Sequence, residues 1–479
     1  MSSVAVNNKK SYMHATIMII LMLCGNFLPT FGQITPLGMK VLGVFLGLLY
    51  GWIFVGILWP SVLGFFTLSL TGIMTPLEAF IAGFTNPTTI LVLMSYLLAY
   101  CLGKIGVNQA IAYWAMKKKV FVGRPWLFAS ALVLVTCLMG MLGGSFAAIF
   151  LMWGVTKSIA EQNKIESGNL LVNTVYALIL LGGFSGGQMV PFFGGVIMYG
   201  GFLTAATGYV VEGAQFLFIG ELYTVLSMLA IILIIKYIFR PDASKFYLTE
   251  EMRQKFETYR FSTQQKVGLI LLIFYFLALL LPSVFKGNLW TILSNWGVVG
   301  MTILYIVVFS IWKDKDGNDI CSMEDCFQNG IAWGPVLLFM VTIPLASAME
   351  SEEVGIMATV NSVVAPLFDG MSPTMMLIIM AIIMGLITQV LHNLVVAALF
   401  TPIFISMGGN PITFFFVLYA VLCCSFGTPA ASMQAGLLFG HKDISTKHAY
   451  LLGWLYLAVT IVIVIAMIPL CNLLFASLV

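Results

Sequence analysis

The sequence predicts an all-α polytopic membrane protein. It also predicts an inverted repeat with two oppositely oriented re-entrant hairpins and two interrupted helices. Three observations lead there. Of the 479 residues, 60% are hydrophobic and only 9% charged, against roughly 25% charged in soluble domains. Apolar runs of about 20 residues, the length that crosses a hydrocarbon core, recur from residue 14 to the C-terminus. Glycine, proline or polar residues break four of these runs, at corresponding places in two halves of the chain.

The first run, near 14–32, follows Lys9 and Lys10 and has no small-residue cleavage site after it. It reads as a retained helix with a cytoplasmic N-terminus. Runs near 36–54, 56–73 and 88–106 follow, the last opened by Thr85-Asn86-Pro87. Asn caps helices and Pro suits their first turn. Residues 1–87 form an N-terminal group of helices, and 88–239 the first repeat.

The run 125–156 has basic residues at both ends, KKKVFVGR before it and Lys157 and Lys164 after it. Lys and Arg favour the cytoplasm, so both ends belong there. A single helix of this length would be about 48 Å long at 1.5 Å per residue, against a core of ~30 Å. With Gly143-Gly144-Ser145 at its middle, it reads as a hairpin entering from the cytoplasm. The run 168–206 follows and contains LILLGGFSGGQMVPFFGG, 178–195. In 215–238, Glu221 is placed at the interface near the outer end of the helix. The polar stretch 240–266 reads as a cytoplasmic linker carrying an amphipathic helix.

The second half, 267–479, has runs near 267–284, 290–312 and 331–348, then the acidic loop 349–370 without Lys or Arg. That loop is placed outside. The run 372–406 has no basic flank and holds His392-Asn393 at its middle, so it reads as a hairpin entering from outside. The interrupted helix 411–440 contains VLCCSFGTPAASMQAGLLFG, and 449–476 closes the chain. Ser145 and Asn393 are 248 residues apart, Gly186 and Thr428 242. A near-constant offset with inverted orientation marks an inverted repeat, whose broken helices bind cargo near the midplane of secondary transporters.

The polar residues at these breaks are the candidate site. His392 titrates near neutral pH and is a candidate for substrate contact or proton coupling; the competing reading is a hydrogen-bonded packing residue. Asn393 can donate and accept. Ser145, Thr428 and Gln188 supply neutral oxygens, while Gly143, Gly144, Gly186, Gly187 and Gly427 shape backbone. No Lys or Arg falls within either hairpin or interrupted helix, so an anion would rest on helix N-termini and hydroxyls.

The net charge of +3, with no dense basic face, argues against nucleic acid. Eight scattered cysteines, mostly in apolar runs, are no disulfide framework. There is no H-E-x-x-H, G-x-S-x-G or P-loop, which argues against a membrane enzyme or an ATP-driven pump. No cofactor is expected beyond Na⁺ as a coupling ion.

This order of features, and AFIAGFTNPTTILVLMSYLLAYCLGKIGV at 79–107, resemble the divalent anion:sodium symporters of the ion transporter superfamily. The resemblance covers nearly the whole chain. Family members place Ser-Asn-Thr at both hairpin tips, with a Pro ten residues after the Ser. Pro402 sets His392, Asn393 and Leu394 on the second motif, where only Asn matches. The local match at the first is Gly144, Ser145 and Phe146. Thr428-Pro429-Ala430-Ala431 stands for the family's Thr-Pro-Pro-Asn turn, with Ser185-Gly186-Gly187-Gln188 as its counterpart. The resemblance implies substrate contacts at Ser145, Asn393, Thr428, His392 and Gly144. It implies ion contacts at Ser145, Asn393, Gly186, Gln188 and Thr428. It also implies an elevator-type homodimer in the plasma (inner) membrane that carries a di- or tricarboxylate with Na⁺ or H⁺. Sulfate or another inorganic anion, cation/proton antiport and a passive channel stay open as alternatives.

Overall fold

The computed structural model describes residues 8–476 apart from 143, 144, 167, 193, 210, 212, 284, 286, 314–316, 318, 369, 392, 407–409 and 430. The described residues are almost entirely helical. The first group is α1 (Asn8–Cys24), α2 (Pro36–Phe54), α3 (Leu58–Leu70) and α4 (Pro76–Phe84). Next come α5 (Pro87–Ile105), α6 (Val107–Met116), α7 (Pro125–Met141), α8 (Ser145–Gln162), α9 (Leu170–Gln188), α10 (Gly194–Thr207) and α11 (Ala214–Ile234). The linker carries α12 (Glu250–Glu257). Then come α13 (Thr263–Leu280), α14 (Asn288–Ile311), α15 (Met323–Asn329), α16 (Trp333–Glu350) and α17 (Ile356–Phe368). The chain ends with α18 (Pro373–Ile387), α19 (Asn393–Ser406), α20 (Pro411–Leu422), α21 (Met433–Gly440) and α22 (Thr446–Phe475).

Helix starts follow a local rule. Thr35-Pro36, Thr75-Pro76, Ser372-Pro373 and Asn410-Pro411 each place a capping oxygen before a proline at the first turn. The side chain takes a free N–H, and Pro has none to lose. At α4 the cap is reciprocal, with Glu78 bonding back to the Thr75 N–H.

Six described helices are long and apolar enough to cross a membrane: α2, α9, α11 with its extension to Phe239, α13, α14 and α22. The pair α4–α5 is bent by 52° at the break between its helices, and α5 runs on as the helix expected from 88. The shorter apolar helices run 10–17 residues, because breaks divide the long runs. The run 125–156 becomes α7 and α8, which pack on each other and on α9. The run 372–406 becomes α18 and α19, both against α20. The run 168–206 splits into α9 and α10, and 411–440 into α20 and α21. In α14 the helix kinks at Gly297, where φ is 52°.

Gly186 does not mark the first break, contrary to the sequence reading. Helix α9 continues to Gln188 and the break begins at Met189. The glycines serve close packing instead: a Cβ on Gly186 would strike the Cys137 carbonyl of α7, and one on Gly140 the Gly183 carbonyl of α9. Small residues let helix backbones approach in membranes. Glu221 lies in the N-terminal half of α11. It is the eighth residue of α11, roughly 10 Å along the helix at 1.5 Å per residue.

Two apolar cores meet at the breaks. Met189 belongs to one and Val190 to the other, as do Cys423 and Cys424. The Cys321 and Cys326 thiols of the CSMEDC loop lie 3.0 Å apart. No metal-binding group of three His, Cys, Asp or Glu occurs among the described residues.

After α21 the His441 ring packs on Trp153 and Tyr176, with centroids 4.5 and 4.6 Å away. The Asp443 N–H donates to its Nδ1 at 3.3 Å. Burial lowers the His441 pKa, and the Asp443 charge opposes this in part. The unfolded chain therefore holds the proton more readily. The stability that neutral His441 supplies is full above its ordinary pKa and is lost as pH falls through the folded value. A melting series on the acid side of neutrality should show a pH slope that His441→Gln reduces; equal slopes would exclude this role.

Candidate functional site

A cavity of about 430 Å³ lies where the broken helices meet. Ser145, Gln188, Tyr199, Asn393, Tyr419 and Ser432 bring polar atoms to its wall. No Lys, Arg, His, Asp or Glu is among the described residues that line it. Its electrostatics therefore come from neutral dipoles and helix ends.

Those ends are of both signs. Helix α8 begins at Ser145, α19 at Asn393, α10 beside Gly195 and α21 after Ser432, all at the wall. Each N-terminus leaves N–H groups free and carries about half a positive charge. Gly140 near the end of α7, Gly187 and Gln188 at the end of α9, and Leu422 at the end of α20 also line the cavity. C-termini present free carbonyls and partial negative charge. One chamber thus offers an anion its N–H groups and a hard cation its carbonyl oxygens.

Asn393 ties three elements together. Thr388 Oγ1 donates to its Oδ1 at 2.6 Å, while its Nδ2 donates to the Leu422 carbonyl at 2.9 Å and to Ser425 Oγ at 3.1 Å. Both amide hydrogens are committed, and Oδ1 keeps one lone pair. Ser145 Oγ packs against the Cα of Gly187, setting the start of α8 on the end of α9. Gln188 Oε1 is buried with no hydrogen-bond partner among the described residues, an acceptor left open beside the carbonyls of α9.

Two further described candidates, Thr428 and Gly186, do not line the wall. Thr428 donates its hydroxyl to the Gln389 carbonyl, and Gly186 faces α7. His392 and Gly144 lie outside the described residues. Sequence reasoning missed Gln389, which is 1% exposed. Its Nε2 donates to the Gly385 and Cys424 carbonyls at 2.9 and 3.2 Å, and the Gly427 N–H donates to its Oε1 at 2.7 Å. Its signal was a third polar group, with Thr388 and the His392-Asn393 pair, inside the apolar run 372–406. Tyr199 and Tyr419 were also missed, since aromatics in apolar runs read as packing.

A chamber with opposed helix ends and no fixed charge suits an anion carried with a cation. Comparison with known proteins agrees. The sodium:sulfate symporter transmembrane region matches residues 9–477. The chain belongs to this family. It is a Na⁺-coupled anion symporter of the divalent anion:sodium symporter type, an integral membrane protein and not an enzyme. No curated protein matches it. A crystal structure of the Alcanivorax borkumensis YdaH transporter, reported to have an unusual topology, is similar in fold. Its TM-score is 0.57 at 13% identity, over 84% of this chain and 88% of that one.

The fit of Ser145 to Gly187 gives a local test of the symporter. A Cβ on Gly187 would meet Ser145 Oγ and lie 2.8 Å from the Gly140 carbonyl. Overpacking of this kind costs about 1–3 kcal/mol. Gly187→Ala should lower Na⁺-driven uptake about tenfold or more, whereas Gly154→Ala, whose Cβ meets nothing within 4 Å, should not. Equal uptake by both variants would remove the Ser145–Gly187 contact from the site.

Proposed function

We propose that this symporter carries a small organic dianion, a di- or tricarboxylate, by an elevator movement of a homodimer with cytoplasmic N-termini. The carrying observation is the pairing of N-termini in the cavity. Helices α8 and α10 come from the first half and α19 and α21 from the second. Four anion-binding ends around one chamber can meet more than one carboxylate, and about 430 Å³ leaves room for a small carbon chain. Ser145 and Asn393 hold the helix starts that meet the carboxylates. The open Gln188 Oε1 and the carbonyls at the end of α9 receive Na⁺, a hard cation suited to oxygen. Thr428 and Gly186 act from behind the wall, by holding the breaks. The hairpins α7–α8 and α18–α19 enter from opposite sides as the two arms of an inverted repeat.

Sulfate is the second reading, favoured by the family's descriptive name and by the ability of helix N-termini to bind compact anions without side-chain charge. Succinate uptake into proteoliposomes under an inward Na⁺ gradient, an inward H⁺ gradient or neither separates the two. The expected result is Na⁺-driven succinate uptake that citrate inhibits more strongly than sulfate. Uptake of sulfate but not succinate would transfer the assignment to the inorganic anion.

A further inference from the structure

Glu221 is an acidic residue inside a span that the cavity does not use. It lies in the apolar segment Ala214–Phe239, and its Oε1 is buried with no hydrogen-bond partner among the described residues. The residues beside it locate it against the first break. Gly220 sits on Met189, where a Cβ would lie 3.1 Å from the Met189 carbonyl. One turn on, Thr224 Oγ1 donates to the Ser185 carbonyl at 3.4 Å. Helix α11 packs on α7 as well. The carboxyl group therefore occupies the seam of α7, α9 and α11, beside the last turn of α9.

No protein cation faces that seam. The helices packed on α11 are α7, α9, α20 and α22. Besides Cys137, their titratable or charged side chains are Tyr176 on α9, Tyr419 on α20, and Lys447, His448, Tyr450, Tyr456 and Cys471 on α22. On α11 itself there is Tyr223, whose hydroxyl lies 3.1 Å from Thr460 Oγ1 of α22. Lys447 and His448 precede Thr460 by twelve residues or more, roughly 18 Å of helix. Lys236, on the extension of α11, is farther still. An ionised carboxylate buried without a partner is too costly to persist, and ionisable residues inside spans serve ion pathways far more often than packing. What neutralises Glu221 must arrive from solution. The free carbonyls ending α9 favour a positive ion there.

We infer that the Glu221 carboxyl group is a second cation site, which takes up Na⁺ or H⁺ at the seam of α7, α9 and α11 during transport. The site adds a coupled cation to those held in the cavity and holds whichever anion is carried.

The test uses purified full-length protein and needs no knowledge of the anion. Binding of radiolabelled Na⁺ is measured for wild type, Glu221→Gln and Glu221→Asp. Proton release on adding Na⁺ is read with a pH dye in weak buffer. If the cation is Na⁺, Glu221→Gln loses one class of bound Na⁺ or weakens it by about tenfold or more, and Glu221→Asp keeps it. If it is H⁺, Na⁺ binding holds but proton release disappears in Glu221→Gln and persists in Glu221→Asp. Unchanged Na⁺ binding and proton release in Glu221→Gln overturn the inference. Should Glu221→Gln fail to fold, Glu221→Ala takes its place, and unchanged Na⁺ binding and proton release in that variant refute the site.

Discussion

Asn393→Ala is expected to reduce Na⁺-driven uptake by at least about a hundredfold while the protein still reaches the membrane and purifies as a folded species. The substitution removes one amide and leaves three partners short: the Thr388 hydroxyl, the Leu422 carbonyl and the Ser425 hydroxyl. A buried polar group left without a partner costs about 1–3 kcal/mol. Because the amide stitches the start of α19 to the end of α20, the loss falls on the relative placement of two helix ends that form the cavity wall. A tenfold change corresponds to ~1.4 kcal/mol, so two such groups suffice for the expected effect. The surrounding core of α20 is fully buried and should keep the fold intact. Asn393→Asp separates geometry from charge. It retains the acceptor for Thr388 but loses the donors to Leu422 and Ser425, and it sets a negative charge where an anion docks. It should be as inactive as Asn393→Ala. Uptake per reconstituted protein, with gel filtration as the folding control, checks both variants; near-wild-type uptake by Asn393→Ala would strike Asn393 from the site.

The architecture was legible where the backbone itself breaks. Gly143-Gly144-Ser145 and His392-Asn393 mark the divisions of the two hairpin runs because each interrupts a long apolar stretch, and α8 and α19 do begin at Ser145 and Asn393. The interrupted helices were less legible. Glycine has two uses in a membrane helix, to end it or to let a neighbour approach, and sequence does not say which. Gly186 and Gly187 serve approach, toward Cys137 and Ser145, so the break sits later, around Pro191. Thr428 was placed correctly in the second break, which spans residues 423–432, but its hydroxyl points back to the Gln389 carbonyl. The cavity wall joins residues of α5 and α16 to the ends of α7, α8, α9, α10, α19, α20 and α21. Which ends meet is a property of the packed chain and has no local signature. The setting of Glu221 was hidden for a related reason: its place along the helix is legible in sequence, whereas only the contacts of Gly220 and Thr224 set it beside the break.

Gln389→Leu is the substitution with the largest expected structural effect. Leucine nearly preserves volume in an apolar run and would pass a hydropathy test. Yet Gln389 does for the second break what no backbone ladder can. Residues 423–432 carry no regular helix, so their N–H and C=O groups need other partners, and in hydrocarbon each unpaired group costs several kcal/mol. The amide accepts from the Gly427 N–H and donates to the Cys424 carbonyl. Its own backbone carbonyl takes the Thr428 hydroxyl. A leucine side chain there would leave the Gly427 N–H unpaired, a loss of about 1–3 kcal/mol, and would take from the Cys424 carbonyl one of its two partners, the other being the Phe426 N–H at 2.9 Å. The neighbourhood cannot close over the Gly427 N–H, because Gly427 already lies against Trp454, where a Cβ would be 3.0 Å from the ring. The expected outcome is a sharply lowered melting temperature and little or no uptake. Gln389→Glu is the informative partner. Protonated, its carboxyl can still accept from Gly427 and donate to one carbonyl; ionised, it cannot donate to the Cys424 carbonyl. Its melting temperature should therefore fall relative to wild type as pH rises, against the upward slope that His441 gives both proteins. A Gln389→Leu protein that melts and transports like wild type would show that the break is held by other groups and that Gln389 merely fills space.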